Sequence, residues 1–174
     1  MSRVTEIRYV GYATPDFEAE RAFYVDQWGL EPVTSSDGMA YFKAKGAPEH
    51  HVVRLRKDPA KRVDVIALAA DRRTDVDALH DRVAANGGKV VHAPQELTSP
   101  GGGYGFRFFS PDGLPFEISS DVASGPTASI ARWDGVPVKI SHIVMHSPDH
   151  KALTQWFIDV LGFRLSDWIG DFMS

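Results

Sequence analysis

The feature that most constrains this chain is that part of it occurs twice. IRYVGYATPDFEAERAFYVDQWGL, beginning at Ile7, aligns without a gap on ISHIVMHSPDHKALTQWFIDVLGF, beginning at Ile140, at an offset of 133 residues. Ile7 meets Ile140, Pro15 and Asp16 meet Pro148 and Asp149, Ala19 meets Ala152, Asp26 meets Asp159, and Gly29 meets Gly162. Most remaining pairs are chemically alike: Val10 with Ile143, Phe23 with Trp156, Tyr24 with Phe157, Val25 with Ile158. Each copy reads as a strand rich in β-branched and aromatic residues, closed by Pro and followed by a helix. Asp is placed to cap that helix. Ala19, Phe23, Tyr24 and Trp28 in one copy, and Ala152, Trp156, Phe157 and Leu161 in the other, give each helix an apolar face. Gly29 and Gly162 supply the left-handed residue that ends it.

A weaker repeat lies inside the first 120 residues. A strand from Val63 to Leu68 leads to a helix that Thr74 would open, with Asp77 three residues on. Val76, Leu79 and Val83 share one face of that helix, and Gly87 and Gly88 end it. Extended runs follow at Lys89–His92, Tyr104–Phe109 and Pro115–Ser119, and the first half has counterparts at Glu31–Thr34, Met39–Lys43 and His51–Arg56. Ser110-Pro111-Asp112-Gly113 is a turn signal before the last strand. Residues 3–120 therefore read as two βαβββ units, 3–60 and 61–120. Residues 121–137 read as a Pro- and small-residue-rich linker. Residues 138–174 read as a strand, a helix and a partial second strand, the start of another such module.

Composition excludes several classes of function. Apolar residues are 43% and charged residues 24% of the chain, the proportions of a globular protein. The net charge of −4 and pI of about 5.9 offer no basic footprint for nucleic acid. No apolar run is long enough to span a bilayer, and Met1–Ile7 lacks a signal-peptide pattern, so a cytoplasmic location is expected. There is no cysteine, which removes disulfides, thiolate catalysis and Cys-zinc sites. A metal would have to use His, Asp or Glu.

Paired βαβββ units of this size resemble the vicinal oxygen chelate superfamily of glyoxalases, bleomycin-resistance-type binders and extradiol dioxygenases. SPDGLPFEIS at Ser110–Ser119 and HIVMHSPDHKALTQWFIDVLGFRLSD at His142–Asp167 carry the resemblance. The second phrase looks most like the start of the catalytic module of a two-module extradiol dioxygenase. The resemblance implies an α+β fold in which the paired units form a cupped, mixed eight-stranded sheet. It implies that only the second module holds Fe(II), or Mn(II), on a His of its first strand, a His opening its second half and a Glu of its last strand. This facial triad leaves positions open for a catecholate and dioxygen. His142 matches the first ligand. The offset of 133 projects an accompanying His pair to roughly 183, the second ligand to roughly 198 and the Glu to roughly 250. In the first module the same positions are Tyr9, about Val65, and Glu117, with His50 and His51 at the His pair. One of three is not a metal site, so the first module reads as inert, with no metal tightly bound in this chain.

Each of these residues also has an ordinary structural reading. A lone His on an apolar strand, as at His142, is more often a satisfied core or edge residue. His142 and His146 would lie about 14 Å apart along a strand and should not share a metal. Glu117 is open to reading as a strand Glu paired to a nearby Arg. His50 and His51 would point to opposite faces if they lie on a strand. Tyr9, Tyr12, Phe106 and Phe116 are candidates for a ligand cup or for plain core. GGGYG at Gly101–Gly105 lacks the Lys-Ser/Thr ending of a phosphate loop. The leading expectation is the N-terminal portion of a catechol-cleaving dioxygenase, inactive alone. A non-catalytic binder of a small aromatic or drug is the second. A glyoxalase-type enzyme is the third, disfavoured by Tyr9. Ile140, Ile143, Trp156, Phe157, Ile158 and Leu161 would be costly to expose. The tail is therefore expected to pack across the first module, to swap into a partner of a homo-oligomer, or to stay disordered.

Overall fold

The computed structural model describes residues 2–36, 38–131 and 134–168. Eight strands form one sheet: β1 (Ile7–Thr14), β2 (Glu31–Ser36), β3 (Met39–Lys43), β4 (Val53–Lys57), β5 (Arg62–Ala69), β6 (Lys89–Glu96), β7 (Tyr104–Phe109) and β8 (Pro115–Ser120). Their order across the sheet is β2-β3-β4-β1-β5-β8-β7-β6. Each half places its first strand in parallel beside its fourth, β1 with β4 and β5 with β8. The halves join where β1 runs antiparallel to β5, so the inner repeat becomes a pseudo-twofold of the sheet.

Alternation along the strands sorts the side chains onto two faces. Val10, Ile66, Leu68, Phe106, Phe108, Phe116 and Ile118 face the helices and are buried. Helix α2 (Arg73–Ala85) lays Val76, Leu79 and Val83 on that face, all fully buried, as their spacing predicts. Helix α1 (Phe17–Ala22, continued by a π-helical turn at Phe23–Gln27) borders a second cluster around Phe42, Val53 and Leu55. The turn before β8 forms as read, with the Gly113 amide donating to the Ser110 carbonyl at 2.8 Å.

Capping differs from expectation at two helices. Asp16 makes no cap bond; Thr14 Oγ1 instead accepts from the Asp16 amide at 3.1 Å. Thr74 lies inside α2, whose N-cap is Arg72, so the box read at Thr74 and Asp77 does not form. Asp149 does cap its helix, accepting from the Ala152 amide at 3.0 Å.

The tail packs across the sheet and α2 of the same chain. Helix α3 (His150–Trp156, continued by a π-helical turn at Phe157–Leu161) buries Leu153, Phe157, Val160 and Leu161 in the cluster that also holds Phe108, Phe116 and Val83. Each such side chain contributes about 1.5–3 kcal/mol before ordering costs. Trp156 Nε1 donates to the Asn86 carbonyl at 2.7 Å, and the Val4 amide donates to the Leu161 carbonyl at 3.0 Å. The strand expected after residue 138 is not formed, and residues 163–168 are not strand either. Ile140, Ile143 and Met145 pack on the two clusters instead of entering the sheet. An extended segment becomes a strand only where a neighbour offers its ladder of N–H and C=O groups. The last residues of that expected second strand lie outside the described residues.

Candidate ligand cup

The opposite face of the sheet is hollow and polar. Charged residues stand in alternation with core residues on three strands: Arg54 between Val53 and Leu55, Arg107 between Phe106 and Phe108, Glu117 between Phe116 and Ile118. Strand pairing lines them up in two rows. One runs Thr34, Tyr41, Arg54, Gly11, Val65; the other runs Tyr9, Ala67, Glu117, Arg107, His92. The floor is made of the small residues Gly11, Val65 and Ala67. A Cβ at Gly11 would lie 2.7 Å from Val65 Cγ1 and 3.0 Å from Arg54 Nε, so only glycine lets the Arg54 guanidinium lie across β1.

Glu117 is 1% exposed and both its oxygens are occupied. Tyr9 Oη donates to Oε1 at 2.9 Å and Arg107 Nε donates to Oε2 at 2.7 Å. Burial, reinforced by the Glu117 charge, pushes the Tyr9 phenol well above its ordinary value. Arg54 pairs with Asp64, which Arg56 also holds through Nη2 at 2.5 Å and Nε at 3.1 Å. Burial alone would raise the Asp64 carboxyl, but the Arg56 bonds and the charges of Arg54 and Arg56 outweigh it and hold it low. The Arg54 Nε is buried without an acceptor.

His50 and His51 precede β4 rather than lying on it. Freed from strand alternation, their rings meet, Nδ1 to Nδ1 at 3.1 Å. His51 packs on Tyr9 and Tyr41 with ring centroids 4.4 and 4.9 Å away. Burial, with the nearby His50, Arg54 and Arg8, depresses His51 to about 3. It is therefore neutral at physiological pH and a weak base. Tyr9, His51 and Glu117 surround a void of about 10 Å³, room for roughly one water. Outside it lies an open cavity of about 650 Å³ lined by Thr34, Tyr41, Arg54, His92, Gln95 and Arg107, with Thr98–Pro100 at its rim.

These donors do not fit a divalent metal. Glu117 is spent on Tyr9 and Arg107, and the guanidiniums of Arg54 and Arg107 flank the place where a cation would sit. The register also moves the second-ligand position. Ala67, not Val65, is bracketed by Tyr9 on β1 and by Glu117 on β8; Val65 sits opposite Gly11. Neither side chain ligates. Among the described residues no group of three or more His, Asp or Glu is arranged to hold a metal. His142 is exposed, with Nδ1 3.1 Å from Ser141 Oγ, and is distant in sequence from every cup residue. Arg54, Arg107 and Gly11 are cup residues that no motif in the sequence marks. The signal was present as single arginines interrupting apolar strands, which mark the polar face of a two-faced sheet.

The family model that matches residues 6–118 is that of the Glyoxalase/Bleomycin resistance protein/Dioxygenase superfamily. The chain belongs to this superfamily. The manganese-dependent 2,3-dihydroxybiphenyl 1,2-dioxygenase of Geobacillus genomosp. 3 is 28% identical over 181 residues, covering 97% of this chain and 56% of that protein. The biphenyl-2,3-diol 1,2-dioxygenase of Paraburkholderia xenovorans is 28% identical, covering 95% and 57%. The crystal structure of a Mn(II)-bound glyoxalase from Novosphingobium aromaticivorans matches with a TM-score of 0.97 and 65% identity, over 98% of this chain and 57% of that one. Homoprotocatechuate 2,3-dioxygenase of Brevibacterium fuscum, solved with 3,4-dihydroxyphenylacetate, shares the fold at a TM-score of 0.83 and 23% identity. The superfamily chain thus spans a little over half the length of the curated relatives it matches. No helix among its described residues is long and apolar enough to cross a membrane.

Proposed function

We propose that this chain is the N-terminal portion of a metal-dependent extradiol dioxygenase, with its first module inert toward metal and residues 138–174 opening the catalytic module. The observation that supports this most is the repeat. Tyr9 reaches the centre of the first cup from β1, and at an offset of 133 its counterpart is His142. In a second cup of the same design His142 would stand at the centre as a metal ligand, with the remaining ligands outside these residues. The metal, Fe(II) or Mn(II), would supply a template on which a catechol and dioxygen meet. Relatives at 28% identity that act on dihydroxybiphenyls support a catechol-like substrate.

The test begins with the coding frame past the Ser174 codon. A continuing frame with a His pair, a His and a Glu near the projected positions is expected. The product of the whole frame, loaded anaerobically with Fe(II) or Mn(II), should then cleave 2,3-dihydroxybiphenyl. His142→Ala should bind less than one equivalent of metal and lose that activity. A loaded protein that cleaves no catechol but isomerises a glutathione hemithioacetal would move the reading to a glyoxalase. A stop codon after Ser174 would move it to a binding module.

A further inference from the structure

The same features that make the first cup unfit for a cation make it a receptacle for an anion. We propose that the cavity between β3, β4, β6 and β7 binds a small planar monocarboxylic acid, aromatic or conjugated, with its carboxylate on Arg54 and Arg107. The inference does not rest on ring cleavage and concerns only residues of the first module.

Donor capacity carries the argument. A guanidinium offers five N–H groups in a flat fork suited to a carboxylate. Arg107 is fixed through Nε by a carboxylate that is itself buried and fully engaged. Arg54 is 4% exposed, anchored by Asp64, and keeps a buried Nε–H without an acceptor. The carboxylates behind the two arginines have no capacity to spare: Glu117 serves Tyr9 and Arg107, Asp64 serves Arg54 and Arg56. Glu96, at the rim, is turned to Arg73. The arginine N–H groups therefore exceed the carboxylate oxygens paired to them. A doubly charged phosphate would also meet Glu96 on the cavity wall, so a single charge fits better.

Shape supports a flat organic acid. The cavity, about 650 Å³, lies within the ~300–1,000 Å³ range of small-ligand sites. Tyr41 and His92 flank it from opposite halves of the sheet. Gly101, Gly102 and Gly103, all at positive φ, let the segment after Pro100 turn sharply at the rim without side chains.

The experiment titrates the 174-residue chain with 4-fluorobenzoate, followed by fluorine NMR, beside 4-fluorobenzamide, which has the same shape and no charge. Saturable one-to-one binding of the acid is expected, with the amide at least about tenfold weaker, the minimum for loss of charge-assisted hydrogen bonds. Arg107→Gln should weaken the acid by a similar factor. Thr34→Trp, on the exposed edge strand, should block the cavity while leaving every charge and the melting temperature in place, and it decides the matter if Arg107→Gln does not fold. No saturation of the unaltered chain by about 10 mM acid, equal binding of the amide, or undiminished binding in Thr34→Trp would each overturn the proposal.

Discussion

The two copies of the repeated segment fold to different extents. Residues 7–29 form a central strand and a helix; residues 140–162 form the helix alone. Both helices end in a π-helical turn, and both close it with the same long bond, Leu30 amide to Tyr24 carbonyl at 3.0 Å and Phe163 amide to Phe157 carbonyl at 3.1 Å. Both then pass through a left-handed glycine, Gly29 at φ 65° and Gly162 at φ 76°. The helix and its stop are written in local bonds, so each copy carries them. The strand is not local. β1 exists because β4 and β5 hold its two sides, and residues 140–146 have no such neighbours.

Hydrogen exchange should separate the copies most widely. Amides of β1 are expected to exchange only through global unfolding, whereas those of 140–146 exchange through local opening, a gap of several kcal/mol. Equal protection in both would mean the second copy pairs in solution, with another chain or with itself. The next effect is on the helices. Leu161 is fully buried, while its counterpart Trp28 is 49% exposed. Leu161→Ala should cost about 2–5 kcal/mol in denaturant unfolding and Trp28→Ala well under half of that. A reversal would show that α3 is not docked as described.

Much of this was legible in the sequence. Extended runs matched between the two halves located every strand of residues 3–120, and the face of α2 was readable from Val76, Leu79 and Val83. What was illegible depended on partners remote in sequence. The expected strand after residue 138 had the right composition but lies over the helix-side clusters, away from both edge strands, β2 and β6. His50 and His51 looked like a strand pair, but the chain turns there and brings their rings together. Glu117 stood out in PFEIS, and the turn at Ser110–Gly113 brings Arg107 opposite it, but its other partner, Tyr9, comes from a strand that no local pattern links to it. Asp16 and Asp149 are identical letters in aligned frames and each amide donates to the hydroxyl two residues before it, Thr14 or Ser147, yet only Asp149 caps its helix.

The smallest expected effect concerns what β1 has and the second copy lacks, a buried histidine against its tyrosine. His51 is depressed to about 3 from 6.5, so the unfolded chain gains a proton below pH 6.5 that the folded chain refuses. Stability from this group is complete above pH 6.5 and is lost as pH falls toward about 3, by at most ~1.4 kcal/mol per unit. His51→Phe should flatten the difference between pH 6.5 and 5. An unchanged slope would show that His51 is protonated in the fold.

The bond from the Val4 amide to the Leu161 carbonyl has a consequence for synthesis. At roughly 5–20 residues per second, residues 2–4 leave the ribosome on the order of ten seconds before the helix that receives them. From the synthesis of Phe116 until that helix follows, only a few seconds at the same rate, the apolar cluster on β7, β8 and α2 has no lid, and the nascent chain presents Phe108 and Phe116 to whatever else is near. Helix α3 is thus a late-arriving guard of that face.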